Sequence, residues 1–156
     1  MKSEMPPPLV DCTRVLYYAI ADDSVRYTPR NKIYVGGVEL GEVPRLAVVR
    51  NLVDDGIMLL HCDEEWNCLG LSGTGSIEDV KAHANSRYDG LASKWRKVPY
   101  SDAALAKAVD EEYRDQRCSF CGRYHFQIEA LMVEGDRAMI CGDCVERLHS
   151  TLASEA

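Results

Sequence analysis

CSFCGRYHFQIEALMVEGDRAMICGDC, residues 118–144, holds two Cys-x-x-Cys pairs, Cys118/Cys121 and Cys141/Cys144, with nineteen residues between them. A Cys-x-x-Cys turn aims two sulfurs at one metal with little strain, and Zn²⁺ prefers four soft ligands in a tetrahedron. Gly122, directly after the first pair, permits the backbone turn of a zinc knuckle. Residues 128–133 and 137–140 flank Glu134-Gly135-Asp136 and suit a hairpin. Val145, Leu148 and Leu152 then recur at helical spacing, which sets Cys141 and Cys144 at or just before a helix N-terminus. Free N–H groups and the helix dipole favour thiolates there. Knuckle, hairpin and helix in this order form a treble clef around one structural zinc ion. A thioredoxin-like redox pair would need one Cys-x-x-Cys on a larger fold. Four cysteines close the tetrahedron and leave no open catalytic position. His125 could in principle replace one ligand, but it lies four residues past Cys121 and all four cysteines are available. His149 is expected on the surface of the last helix.

The same residues resemble a family. Cys118-Ser119-Phe120-Cys121-Gly122, a middle with Glu129, Leu131 and Gly135, then Ile140-Cys141 and Cys144-Val145-Glu146 are similar to the N-terminal zinc-binding domain of ClpX. The resemblance covers about residues 116–153, and the middle is slightly longer than is usual for the family, around residues 134–137. It implies a treble clef that forms dimers and binds adaptor proteins and certain substrates, with Cys118, Cys121, Cys141 and Cys144 as ligands. The family's exposed apolar surface corresponds loosely to Phe120, Leu131 and Leu148. No Gly-x-x-x-x-Gly-Lys-Ser/Thr loop occurs in these residues, so no unfolding motor is expected of them.

Lys and Arg number 18 against 25 Asp and Glu, a formal charge of -7. Four thiolates around one Zn²⁺ lower it further, to about -9. This balance argues against nucleic acid as the partner, because such binders carry a basic face. Glu4 and the run Pro6-Pro7-Pro8 resemble neither a signal peptide nor an anchor, and no stretch approaches the about 18 apolar residues that span a bilayer. Seven cysteines without a secretion signal read as metal ligation in a reducing cytoplasm, with Cys12, Cys62 and Cys68 as ordinary buried thiols.

Residues 1–8 are expected to fray, and residues 9–115 to form an α+β domain built on an antiparallel sheet with packed helices. Residues 116–156 form the zinc module. Within the larger domain, residues 15–20 are β-branched and aromatic enough for a strand. Gly36-Gly37 between two short apolar runs is a hairpin signal, as is Asp63-Glu64-Glu65 between residues 57–62 and 66–71. Pro44 with Leu46, Val49, Leu52 and Val53 at 3–4 spacing predicts a helix closed by Gly56. Ser76, with Glu78 and Asp79 in the first turn, caps another helix that runs through Tyr88 to Gly90. Residues 94–98 suit a last strand. Ser101 opens a final helix with Leu105, Ala108, Val109 and Tyr113 on one side.

Other constellations have bland readings. Gly70-Leu-Ser-Gly73-Thr-Gly75-Ser76 sits between a strand and a helix as a phosphate loop would, but it lacks the lysine and carries Glu78 and Asp79 in its place. A flexible connection with a helix cap is the better reading. His61 and Cys62 are adjacent on a strand and point to opposite faces. Trp66 and Trp95 read as core. No catalytic set can be assembled, and a non-catalytic protein-interaction protein is expected. It would dimerise or dock a partner through zinc, as an accessory to Clp-type proteolysis or as an immunity-type inhibitor. A nucleic-acid regulator would need a basic patch from Arg87, Lys94, Arg96 and Lys97, or from Arg114, Arg117 and Arg123. An enzyme would need a cleft with His61, His83 or Cys62.

Overall fold

The computed structural model describes residues 4–155. In chain order the elements are β1 (Leu9–Val10), β2 (Thr13–Ile20), β3 (Arg26–Tyr27), β4 (Ile33–Val35), β5 (Val38–Leu40), β6 (Arg45–Asn51), β7 (Ile57–Cys62) and β8 (Cys68–Thr74). There follow α1 (Ile77–Asn85), β9 (Tyr88–Asp89), β10 (Arg96–Lys97), α2 (Asp102–Tyr113), β11 (Met132–Glu134), β12 (Met139–Cys141) and α3 (Gly142–Ser154). The chain divides into two compact units between Leu105 and Ala106, about ten residues before the division expected from sequence.

In the first unit a curled antiparallel sheet runs β1-β2-β6-β7-β8, and β10 shares the outer edge of β2 with β1. Side chains alternate across it. Leu46, Val48 and Leu59 meet Val80 and Ala84 of α1, together with Tyr88 and Leu91, on one face. Val15, Ala47, Val49, Leu60 and Cys62 gather on the other with Tyr18 and Trp66, whose rings meet edge-on at 5.7 Å. This is an α+β fold. Trp66 is buried, and Trp95 packs on the α1 side with its indole N–H donating to Asn85 Oδ1 at 3.0 Å.

The segment after Pro44 is a strand, not the helix that its spacing predicts. β6 is the middle of the sheet, paired with β2 on one side and β7 on the other. Arg45, Leu46, Ala47, Val48 and Val49 are all buried. A strand covered on both faces is apolar throughout, so a helical repeat can be picked out of it by chance.

α1 begins where expected. The Ser76 hydroxyl accepts from the Asp79 N–H at 3.1 Å, and the Asp79 carboxylate accepts from the Ser76 N–H at 3.0 Å. The helix stops at Asn85, short of the expected end. Tyr88 turns instead into β9, which pairs with β3, and its buried hydroxyl accepts from the Val43 N–H at 2.9 Å. Residues 4–8 do not behave as a frayed end. Pro6 is buried, and its carbonyl accepts from the Tyr100 hydroxyl at 2.7 Å; residues 1–3 lie outside the described part. Of the three remaining cysteines Cys62 is buried, and Cys12 and Cys68 are half-buried. Among the described residues no helix is long and apolar enough to cross a membrane.

The second unit holds the end of α2, the short turn at residues 114–116, the β11–β12 hairpin and α3. The hairpin turns where the sequence places it, but its first strand is only Met132–Glu134, and α3 starts directly after Cys141 with Cys144 in its first turn.

Candidate metal centre

Cys118 and Cys121 stand on a tight knuckle. The Gly122 N–H donates to the Cys118 carbonyl at 2.8 Å, the Cys118 N–H to the Arg123 carbonyl at 2.9 Å, and Arg117 bridges Tyr124. Gly122 has φ +74, the left-handed region in which only glycine is unstrained. β12 ends in Cys141, which is also the N-cap of α3, and Cys144 lies in the first turn of that helix. Gly142 is needed here too: a Cβ would come within 3.0 Å of Ala130 Cβ.

These three elements bring the Sγ atoms of Cys118, Cys121, Cys141 and Cys144 within 4.8 Å of one another. The Cys121–Cys141 sulfurs are 3.9 Å apart. With Zn–S bonds of about 2.3 Å, a regular tetrahedron has sulfur–sulfur edges of about 3.8 Å. One edge of the cluster already has this length and none exceeds it by more than about 1 Å, so the donor set fits one zinc ion.

The surroundings are arranged for thiolates. The Cys141 N–H donates to Cys118 Sγ at 3.4 Å. Arg123 donates through Nε to Cys121 Sγ at 3.4 Å and through a terminal nitrogen to Cys141 Sγ at 3.7 Å. Its other partner is Asp143, at 2.7 Å, which fixes the guanidinium. Arg147 donates to Cys144 Sγ at 3.5 Å. Four thiolates with Zn²⁺ leave a charge of about -2, and two guanidiniums offset it.

Burial pushes the Cys118 thiol up, but the N–H groups of Cys121, Cys141 and Phe120 outweigh it and hold it at about 6. Arg123 lowers Cys121. Cys144 is instead pushed up to about 12, by burial and then by the crowd of neighbouring sulfurs. Like charges this close cannot all ionise by themselves. A divalent cation removes that obstacle and draws off the remaining protons.

Residues 116–154 match the family model of the ClpX C4-type zinc finger. The match covers a quarter of the chain and contains all four cysteines. Comparison with curated proteins and with solved structures finds no match. The C-terminal module is thus a ClpX-type zinc finger with one structural zinc ion on Cys118, Cys121, Cys141 and Cys144.

The other named histidines stay away from the metal cluster. The His125 ring packs on Tyr113 at 5.3 Å and on Phe126 at 5.3 Å, within an aromatic group that also holds Tyr124. His149 is exposed on α3. Sequence reading missed Arg123 and Arg147, because an arginine near a cysteine has no fixed spacing to betray it. It also missed Asp110, which accepts from Arg114 at 2.8 Å, Arg117 at 3.4 Å and the Tyr124 hydroxyl at 3.1 Å. That carboxylate joins the end of α2 to the knuckle.

Proposed function

We propose that this chain is a non-catalytic protein-interaction protein of the cytoplasm whose ClpX-type module docks a second copy or a foreign protein. One observation carries the reading. Phe120, Leu131, Val133, Val145, Leu148 and Leu152 are all exposed, Leu131 at 80% and Leu152 at 69%. Half of the exposed large apolar side chains among the described residues thus lie in the smaller unit. Scattered single apolar residues need no explanation, but this density on so small a module suits an interface. Three of the six stand on α3 at 3–4 spacing, the form a helix takes when it presents a docking face. A cleft of about 820 Å³ beside the knuckle adds Phe120 and Met139 among Arg117, Glu134 and Arg137. An accessory role near Clp-type proteolysis and an immunity-type inhibitor are the two forms this reading takes.

The arginines that a nucleic-acid face would need are already engaged or buried. Arg114 and Arg117 are both engaged by Asp110, and Arg123 by Asp143 and the metal ligands. Arg87 is fully buried, so it cannot contribute to a surface patch with Lys94, Arg96 and Lys97. The acidic turns have local duties as well. Asp54 accepts from the Gly56 N–H at 2.9 Å, and Asp63 from the N–H groups of Glu65 and Asn67 at 2.8 and 2.9 Å.

Native mass spectrometry with and without a chelator tests the proposal. One zinc per chain in a dimer that falls to metal-free monomer on chelation assigns the module to self-assembly. One zinc in a persistent monomer directs the search to a foreign partner, found by crosslinking from α3. A monomer that keeps its state and makes no crosslink through Leu131, Leu148 or Leu152 in its native extract would refute the docking role.

A further inference from the structure

The larger unit buries a cation without a counter-ion. Arg87, two residues past α1, has no exposed surface. One terminal nitrogen donates to the Tyr27 hydroxyl and to the Leu40 carbonyl, each at 3.2 Å, and both acceptors are neutral. Its Nε and its other terminal nitrogen have no partner, and no carboxylate pairs with it among the described residues. A buried charge left unpaired is strongly unfavourable, and water repairs its hydrogen bonds but not its charge.

Two histidines belong to the same layer: Leu40, whose carbonyl holds Arg87, lies against Gly70, the register partner of His61, and the His83 ring packs over Gly73 on that strand. His61 on β7 is fully buried, with Nε2 2.7 Å from Ser72 Oγ on β8 and Nδ1 without a partner. His83 on α1 has a buried Nε2 that is also unpartnered. When the Ser72 hydroxyl donates to Nε2, Nδ1 of His61 carries the proton and becomes a free donor. Burial is the chief influence holding His61 down at about 3, and the charges of Arg87 and His83 act in the same direction with no carboxylate opposing them.

The glycines of β8 are cut to this site. Gly70 is the register partner of His61. A Cβ there would come within 2.8 Å of Val35 Cγ2 and 3.1 Å of Leu40 Cδ2. The β4–β5 hairpin therefore rests directly on the strand opposite His61. Gly73, at φ +66, leaves room for the His83 ring, whose Cδ2 would lie 3.1 Å from a Cβ. The hairpin is a separate two-stranded sheet, outside the hydrogen-bonded ladder of the main sheet.

We infer that Arg87, His61 and His83 hold a small oxyanion, a carboxylate or a phosphoryl group, beneath the β4–β5 hairpin. The guanidinium supplies the charge, and the two imidazoles supply N–H donors from the other elements. The anion gives Arg87 the counter-charge that the protein does not.

Trp66 and Trp95 are the only tryptophans, and both lie in the larger unit. Their fluorescence therefore reports its unfolding in the full chain. Urea midpoints are measured while inorganic phosphate, or separately acetate, replaces chloride at constant ionic strength. A saturable rise with either anion, at one site per chain by calorimetry, is expected, because a ligand of the native state stabilises by mass action. His83→Gln and Arg87→Met each weaken that binding at least about tenfold. Phosphate alone identifies a phosphoryl ligand, and an acetate response identifies a carboxylate. If Arg87→Met does not fold, His83→Gln decides. No response to either anion, or one that persists equally in the variant, overturns the site. Stripping the zinc leaves the response intact, which separates this inference from the docking role.

Discussion

Replacing Cys141 by Ser is expected to unfold residues 116–154 and leave the larger unit standing. The core around the metal site consists of Cys118, Cys141 and Cys144, with Cys121, Ile128, Met132 and Ile140 packed around them; Val109 of α2 is also buried in this unit. The three non-cysteine side chains beside the metal site are only partly buried, so they contribute roughly 1–2 kcal/mol each. Structural zinc in modules of this size contributes about 10–16 kcal/mol at pH 7, and that is folding energy. Cys141 stands at the N-cap position of α3 with no side-chain cap bond, so serine costs nothing there as a cap and the loss comes from the metal alone. Losing this sulfur removes a ligand and opens the tetrahedron at the helix start, so several kcal/mol disappear from a unit with little else to hold it. Hydrogen exchange with peptide resolution is the assay. Fast exchange across residues 118–154 with unchanged protection on β2, β6 and β7 is expected, together with an unchanged tryptophan-detected urea midpoint. Retained protection on α3 in the Cys141→Ser chain would refute the reasoning, since it would mean that packing rather than metal sustains the module.

Three further outcomes are expected. Arg123→Met keeps the fold but weakens zinc about 10–100-fold, read by competition with a chromogenic chelator, because the guanidinium donates to two ligands. Ser76→Ala removes the N-cap of α1 and lowers stability by about 1 kcal/mol, seen as a lower tryptophan-detected urea midpoint. In phosphate-free buffer the larger unit loses stability as pH falls below 6.5, because the buried His61 has a folded pKa of about 3, below its unfolded value. That stability is complete above 6.5, and the slope reaches at most about 1.4 kcal/mol per pH unit for one proton. Between 6.5 and about 5 the effect belongs to His61 and to His83, which burial also lowers; lowered carboxylates such as Asp22, held down chiefly by Lys94, add to it from about 5 downward. A His61→Asn chain with an undiminished slope there would contradict this account.

The zinc ligands could be read from the sequence because their chemistry is local. Each pair fits in four residues, and the Cys-Gly-Asp-Cys start of α3 declares its helix by the stripe behind it. Hairpins announced by Gly36-Gly37 and by Asp63-Glu64-Glu65 were readable for the same reason, since turn residues act on their immediate neighbours. β6 was not. Its pattern is set by strands on both sides of it, and β2 lies about thirty residues away in sequence. The Arg87 cluster was hidden more deeply. His61, His83 and Arg87 come from a strand, a helix and the turn after that helix, and only the seating of α1 on β7 brings them together. The glycines of β8 were visible in the sequence, but a backbone cleared for a neighbouring hairpin and ring looks there like a flexible connection.

The metal's place at the heart of the small unit bears on how that unit can change over generations. Four sulfur atoms and a few backbone N–H groups fix the knuckle and the start of α3, so the exposed positions of the hairpin and of α3 carry little of the packing. Leu131, Val133 and Leu152 face outward, where substitution barely touches folding and, under the proposed docking role, would alter recognition. A domain held by an ordinary apolar interior has no such freedom, because each inward residue constrains its neighbours. The exterior of the module can therefore change quickly while its ligand spacing stays fixed, and under the proposed docking role that freedom would extend to the choice of partner.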